Sequence, residues 1–218
     1  MAAKAHIVIF VEGDTDKLLF DALVQHYRQQ YGNNIASCEV RNLHGVSRYV
    51  NKMSGKLRNQ IIPAAAKKGM EVKAVCCSYD TDVFEYAERP VVDWPRVEAE
   101  VKRMGIRNFC HVRVEQMIED WLLDDMEGVC SFLKLKRRPA RLQGKNGYER
   151  LKSLYKAAGQ VYVKGFGADA LVAALDMGVI CQKRHTALKQ LETLLGIPEK
   201  PNKQKNNPSP PSANICAF

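Results

Sequence analysis

The chain opens on a run with no polar interruption: Ile7, Val8, Ile9, Phe10 and Val11. An unbroken run of β-branched and aromatic residues predicts a strand buried on both faces, as in a parallel sheet. The run stops at Glu12-Gly13. Asp14 and Thr15 suit a helix N-cap, and Asp16 complements the helix dipole. Over residues 16–31, Leu18, Leu19, Ala22, Leu23, His26 and Tyr27 follow helical spacing on one face, and Gly32-Asn33-Asn34 ends the helix. His26 there reads as a half-buried structural histidine rather than a ligand.

A short strand is predicted over 37–43. A helix follows over 46–58, with Tyr49, Val50, Met53 and Leu57 inward, and continues past a break near Pro63 to a C-cap at Gly69. Residues 72–79 form a second buried run and lead into Asp80-Thr81-Asp82. Residues 81–95 read as polar and irregular. Further elements are a helix over 95–104, a strand over 108–114 and a helix over 115–125, whose inward stripe is Met117, Ile118, Trp121 and Leu122. Glu115, Glu119 and Asp120 point away from that stripe. Beyond it come a helix over 148–158, an extended glycine-rich stretch over 161–167, and helices over 168–177 and 183–195. The order β-α-β-α-β-α-β-α followed by helices predicts an α/β fold. Its central sheet is mainly parallel and flanked by helices, and its C-terminal part is helical and basic. No internal repeat is found.

Composition changes this picture in three places. The 218 residues suffice for one full core with a small appendage. We divide them into a catalytic core over 1–133, a basic extension over 134–197 packed on it, and a disordered tail over 198–218 rich in Pro, Lys, Asn and Ser. The net charge of +9 is uneven: residues 134–218 hold 16 Lys+Arg against 5 Asp+Glu, the first 133 hold 17 against 19. An acidic sheet edge facing a basic third suits a polyanion held at a metal site. The cysteines, at 38, 76, 77, 110, 130, 181 and 216, are seven and form no C-x-x-C pair. They read as reduced thiols of a cytoplasmic protein. No apolar run reaches the ~20 residues of a membrane span, and the N-terminus does not read as a signal peptide.

The candidate chemistry lies in the acids. Glu12 leaves the carboxyl end of the first strand and Asp80 the end of another; Asp82 stands two residues on. Open α/β sheets place ligands at that edge. Parallel neighbouring strands would bring Glu12, Asp80 and Asp82 onto one rim, with Asp16, Glu115 and Glu119 as further acids. Hard cations such as Mg²⁺ or Mn²⁺ take oxygen ligands of this kind and leave positions for water and phosphate. An Asp-x-Asp alone is a weak signal, since turns are rich in Asp. Paired with a strand-end Glu-Gly-x-x-Asp about one β-α-β-α unit earlier, it becomes a moderately strong one.

Residues 7–16, ending Glu12-Gly13-Asp14-Thr15-Asp16, resemble the first motif of Toprim domains. Leu43-His44-Gly45 resembles the glycine-bearing end of the second strand of that fold, and residues 75–82 resemble its Asp-x-Asp motif. Val83-Phe84-Glu85 departs from the glycine that primases and topoisomerases carry there. The later segments resemble small stand-alone Toprim proteins related to the overcoming-lysogenization-defect (OLD) nucleases. Glu119-Asp120-Trp121-Leu122-Leu123-Asp124-Asp125 matches their acidic helix, and Lys164 matches a lysine that recurs in an extended segment.

What the resemblance implies is cleavage of phosphodiester bonds in DNA or RNA with Mg²⁺ or Mn²⁺, in the service of antiphage defence. Glu12, Asp80, Asp82 and Lys164 would be catalytic, and Glu12, Asp16, Asp80, Asp82 and Glu119 would be metal ligands. Lys136, Arg137, Arg138, Arg141 and Lys145 form the expected nucleic-acid contact. OLD-type nucleases are often fused to an ATPase. No Walker motif is found here, so the corresponding expectation is a separately encoded ATPase partner. Assembly with further copies of the chain stays open, and no membrane partner is expected. His44 and His111, near strand ends, are weaker candidates for a base or a phosphate donor.

Each acid also has a plain reading as a helix cap or a solvated charge. A phosphohydrolase or phosphotransferase acting on a small phosphorylated substrate is the rival enzyme, and a non-catalytic nucleic-acid-binding module the rival without chemistry. A haloacid-dehalogenase-like phosphatase fits poorly, because Phe84 stands where its motif has Thr or Val.

Overall fold

The computed structural model describes residues 3–85 and 91–199. Four strands form one sheet: β1 (Lys4–Val11), β2 (Ser37–Asn42), β3 (Met70–Asp80) and β4 (Asn108–Val114). Every pairing is parallel, in the order β2-β1-β3-β4. The chain leaves β1 for one side and returns to β3 on the other. The topological switch point, where such sheets open a crevice for ligands, therefore lies between the carboxyl ends of β1 and β3.

Side-chain alternation along the strands divides the core in two. On one face Ile7, Ile9, Val11, Cys76 and Cys110 pack with Leu19, Phe20 and Leu23 of α1 (Asp14–Tyr31). On the other, Val8, Phe10, Val75 and Cys77 pack with Tyr49, Met53 and Leu57. Adjacent Cys76 and Cys77 thus serve opposite faces. The apolar run of β1 is buried on both sides, as its composition requires.

The first face is finished by the C-terminal third. After α7 (Ile118–Leu122) and α8 (Met126–Phe132) come α9 (Gly147–Ala157), α10 (Ala168–Ala173), α11 (Met177–Lys183) and α12 (His185–Leu195). Trp121, Leu151, Leu171, Ile180 and Leu188 belong to the same apolar cluster as Ile9, and α12 packs on β4. Residues 134–195 therefore share one core with the sheet.

Several predicted boundaries are corrected. The helix expected over 46–58 is broken at Lys52 and again by a π-helical stretch, Leu57–Ile61. The wider turn keeps both Leu57 and Ile61 buried. The short helices around it are α2 (Arg48–Asn51), α3 (Met53–Lys56) and α4 (Ile62–Lys67). Pro63 sits in the first turn of α4, directly after the π-helical stretch, so the wider turn and the proline fall together. The helix expected over 115–125 is shortened to α7, and α8, which was not expected, follows it. Gln116 takes a left-handed φ of 58°, which delays α7, and the Asp125 side chain accepts from Gly128 N to start α8. The helix expected over 168–177 ends at Ala173, and α11, capped by Asp176, fills the gap before the helix expected over 183–195. The irregular stretch over 81–95 contains a short helix, α5 (Asp82–Glu85), and Asp93 caps α6 (Trp94–Arg103). Part of that stretch, 86–90, and the expected tail from residue 200 on lie outside the described residues. No helix among the described residues is long and apolar enough to cross a membrane.

A candidate active site at the sheet rim

β1 and β3 are neighbours, so Glu12 and Asp80 emerge side by side. The Asp80 backbone N–H donates to Glu12 Oε1 at 3.1 Å, which ties the two strand ends together. Buried Tyr49 adds a second tie, its hydroxyl donating to the carbonyls of Phe10 and Ser78. The turn after β3 is pinned to the end of β4. Thr81 N donates to Val114 O, Asp82 N to Gln116 O, and Gln116 N to Thr81 Oγ1.

Asp16, one turn into α1, is buried and lies against Gly13. A Cβ at Gly13 would come within 3.0 Å of Asp16 Oδ2, so the glycine is what lets this carboxylate lie close to the backbone. Glu119 arrives from α7 and is fully buried, which corrects the expectation that it points away from the core stripe. It finds partners in the extended stretch 161–167. Tyr162 donates its hydroxyl to Glu119 Oε1 at 3.1 Å, and Lys164 Nζ lies 3.5 Å from Glu119 Oε2. The same Nζ is 3.9 Å from Asp80 Oδ2. One lysine thus bridges carboxylates from two elements far apart in sequence.

The electrostatics follow from crowding acids in a buried place. Burial raises the Asp80 carboxyl to about 9, with Asp16 and Glu12 adding to the shift and Lys164 opposing it. Burial, then Asp16, raises Glu12 to about 7. Burial raises Asp16 to about 6 against the pull of Lys164. For Lys164 burial acts downward, but Glu119, Asp80 and Asp16 outweigh it and the net shift is upward.

A divalent cation suits this donor set. All the candidate donors are hard oxygens, and Asp16 Oδ1, Asp80 Oδ1 and Asp82 Oδ1 are buried without a hydrogen-bond partner. As packed, no three His, Cys, Asp or Glu side chains among the described residues are already gathered as a ligand cage. In the side-chain arrangement seen here, Lys164 Nζ supplies the positive charge between Asp80 and Glu119.

Other sequence candidates fall elsewhere. Glu115 is exposed at the end of β4. His111 is inside β4, between Tyr79 at 3.2 Å and Glu98 at 3.3 Å, within an aromatic group that includes Trp94 and Phe109. His44 takes a left-handed φ of 60° and faces Asp14 at 3.9 Å. His26 is half-buried.

Lys136, Arg137, Arg138, Arg141 and Lys145 are all exposed on the segment before α9. That segment ends against the acid-bearing helix. Gly147 packs on Asp120, the neighbour of Glu119, and Arg150 pairs with Asp120 at 3.3 Å. Sequence reasoning passed over Tyr162, Tyr49 and Arg150. Aromatic residues at helical or extended spacing look like core, and nothing local marks a hydroxyl or a guanidinium that will meet an acid some 30 or more residues away. A hollow of about 430 Å³ lies between α1 and α11–α12, lined by Tyr27, His185 and Glu192 among others. Tyr27 donates to Glu192 Oε1 and His185 lies against Glu192 Oε2, and no side-chain oxygen or nitrogen of its lining is buried without a partner, unlike those of the rim.

No family model and no curated protein matches the chain. Among solved structures it is similar to the C-terminal region of the Burkholderia pseudomallei OLD protein, at 12% identity over 89% of this chain and 100% of that one, with a TM-score of 0.46. It is also similar to the C-terminal region of the Xanthomonas campestris pv. campestris OLD protein. A structure phased with platinum gives 19% identity over 88% of this chain and 94% of that one, TM-score 0.40. One phased with iodine gives 17% over 88% and 96%, TM-score 0.42.

Proposed function

We propose that this chain is a divalent-metal-dependent nuclease that hydrolyses phosphodiester bonds in DNA or RNA. The observation that carries the reading is the rim itself. Buried Asp80, Asp16 and Glu119 and half-buried Glu12 lie within the influence of one lysine, and three acid oxygens of this rim lack any donor. A fold does not bury such repelling groups for stability; perturbed acids gathered at a switch point mark a functional site.

Glu12, Asp16, Asp80, Asp82 and Glu119 would hold Mg²⁺ or Mn²⁺. The bound ion would polarise a phosphoryl oxygen and lower the pKa of an attacking water. Lys164, half-exposed at the rim, would donate to a phosphoryl oxygen as negative charge grows there. Glu119 and Tyr162 fix where that ammonium stands. The exposed basic segment over 136–145, ending beside Asp120, offers phosphate contacts without base specificity.

The test is incubation with plasmid, single-stranded DNA and total tRNA, in Mg²⁺, in Mn²⁺ and in chelator. Cleavage that needs the metal and is lost in Asp80→Ala is the expected result. Cleavage that persists in chelator, or no cleavage of any of the three, would overturn the reading. The sequence resemblance extends the proposal to defence against phage, which plaque counts on hosts carrying the parent or Asp80→Ala would check.

A further inference from the structure

Among the described residues four large hydrophobic side chains stand exposed: Val83, Val161, Val163 and Phe166. Single exposed apolar residues are ordinary on a protein surface. Their placement is not. Val83 directly follows Asp82, and the other three lie within three residues of Lys164. The exposed apolar surface is therefore drawn to the two segments that carry rim residues.

Phe166 is the largest of the four and is 81% exposed. It is not on a loose end. Tyr162 anchors the segment on Glu119 on one side, and Ala168 is buried at the start of α10 on the other. Between them Phe166 N donates to Val163 O at 3.0 Å, closing a tight turn, and Gly165 supplies the φ of 82° that its third position requires. Lys164 and Phe166 thus occupy one turn. The ammonium is directed at the carboxylates, and the ring is presented to solvent.

An aromatic face held beside a phosphate-handling lysine matches the two parts of a nucleotide. A base in an intact duplex has both faces covered by its stacked neighbours. Only an unpaired or extruded base can lay a face on such a ring. A lipid surface would ask for a broader apolar face than one turn presents, and the ring stands beside the Lys164 ammonium, which suits a phosphate.

We infer that Phe166 is a stacking platform for an unpaired nucleobase next to the scissile phosphate, so that the chain prefers single-stranded or locally opened nucleic acid to intact duplex. This inference rests on the nuclease reading above.

The experiment compares the parent, Phe166→Ala and Phe166→Trp on labelled oligonucleotides of one sequence, as single-stranded DNA, single-stranded RNA and duplex DNA. Binding is measured in chelator at fixed salt, and cleavage in Mn²⁺. A 2-aminopurine placed along the strand reports stacking by loss of its fluorescence. The parent should bind the single strands more tightly than the duplex and quench the probe. Phe166→Ala should lose roughly tenfold or more in single-strand affinity, lose the quenching, and hold its duplex affinity within about twofold. Phe166→Trp should restore both signals. The DNA and RNA arms show which single strand is favoured. Equal single-strand binding by parent and Phe166→Ala, or equal losses on single strand and duplex, would overturn the stacking role while leaving the nuclease reading intact. A parent that neither binds nor cleaves any of the three would overturn the nuclease reading, and the inference with it. Because the ring is exposed, thermal melting of the variants should match the parent, which separates a lost contact from a lost fold.

Discussion

Asp80 shows how a single residue can work against the fold that holds it. Its carboxyl is raised to about 9, Glu12 to about 7 and Asp16 to about 6, chiefly by burial. In the unfolded chain such groups titrate near 4. The folded, metal-free chain therefore binds more protons than the unfolded one across that interval. Their contribution to stability is whole below about pH 4 and is lost as pH rises through the folded values. In chelator, Asp80→Asn should melt close to the parent at about pH 5 and increasingly above it toward about pH 9. A constant offset across that range would count against the carboxyl as the source. Asp80→Ala should lower metal-dependent cleavage on the order of a thousandfold or more, since it removes a proposed ligand and one of the two carboxylates that face the lysine. Lys164→Met should separate the two roles. Turnover should fall by a hundredfold or so, as when one oxyanion donor is removed, while calorimetry shows Mn²⁺ binding retained. Loss of Mn²⁺ binding in that variant would make the lysine a structural counter-charge instead.

The helix that carries Glu119 is short and has no side-chain N-cap, so specific packing contacts hold it. α7 has five residues and cannot hold its shape by propensity alone. It is held by packing of Trp121 and Leu122 and by α9 lying against it. Gly147 makes that approach possible. A Cβ there would stand 2.6 Å from Asp120 N and 2.8 Å from its Oδ2. Gly147→Ala should therefore push α9 off α7 and cost about 1–3 kcal/mol, the usual range for overpacking. Urea unfolding would measure it. Activity should fall further than stability alone explains, because Glu119 sits on the displaced helix. A variant as stable as the parent would show that α7 and α9 can part without loss.

Across the whole molecule, the C-terminal third is part of the core as well as a charged surface. Leu151, Leu171, Leu188 and Leu195 cover the face of the sheet that α1 leaves open, and Ala36 N donates to Leu195 O at 2.8 Å. A fragment of residues 1–133 would expose that face and also lose Tyr162 and Lys164 from Glu119. It should show no cooperative melting and should bind a hydrophobic dye. A sharp transition in the fragment would mean that the sheet and its first helices suffice. The excess of cations in residues 134–218, 16 against 5 acids, leads to a second expectation at this scale. Nucleic-acid affinity should fall steeply and linearly on a log–log plot against salt, with a slope of roughly one per phosphate neutralised. Affinity unchanged between low and moderate salt would argue that this charge faces away from the ligand.

Local order was legible in the chain before any fold was known. The unbroken apolar runs of β1 and β3 announce strands buried on both faces, and the acids that end them stand out because strand ends in such sheets open onto ligand sites. Hence Glu12, Asp80 and the parallel sheet could be read from residues alone. Helix ends could not, where a cap competes with a continuous apolar stripe. Gln116, with its left-handed φ, delays α7 inside the span expected over 115–125, and Asp125 and Asp176 start helices that run beyond the ends expected at 125 and 177. Nor could Glu119 be placed from its helix. Its neighbours mark it as solvent-facing, and it is buried because Tyr162 and Lys164 come to it from over 40 residues away. Hydrophobic pattern acts over one or two turns and so specifies elements. A buried charge is tolerated only where a distant partner arrives, and that depends on how the elements pack.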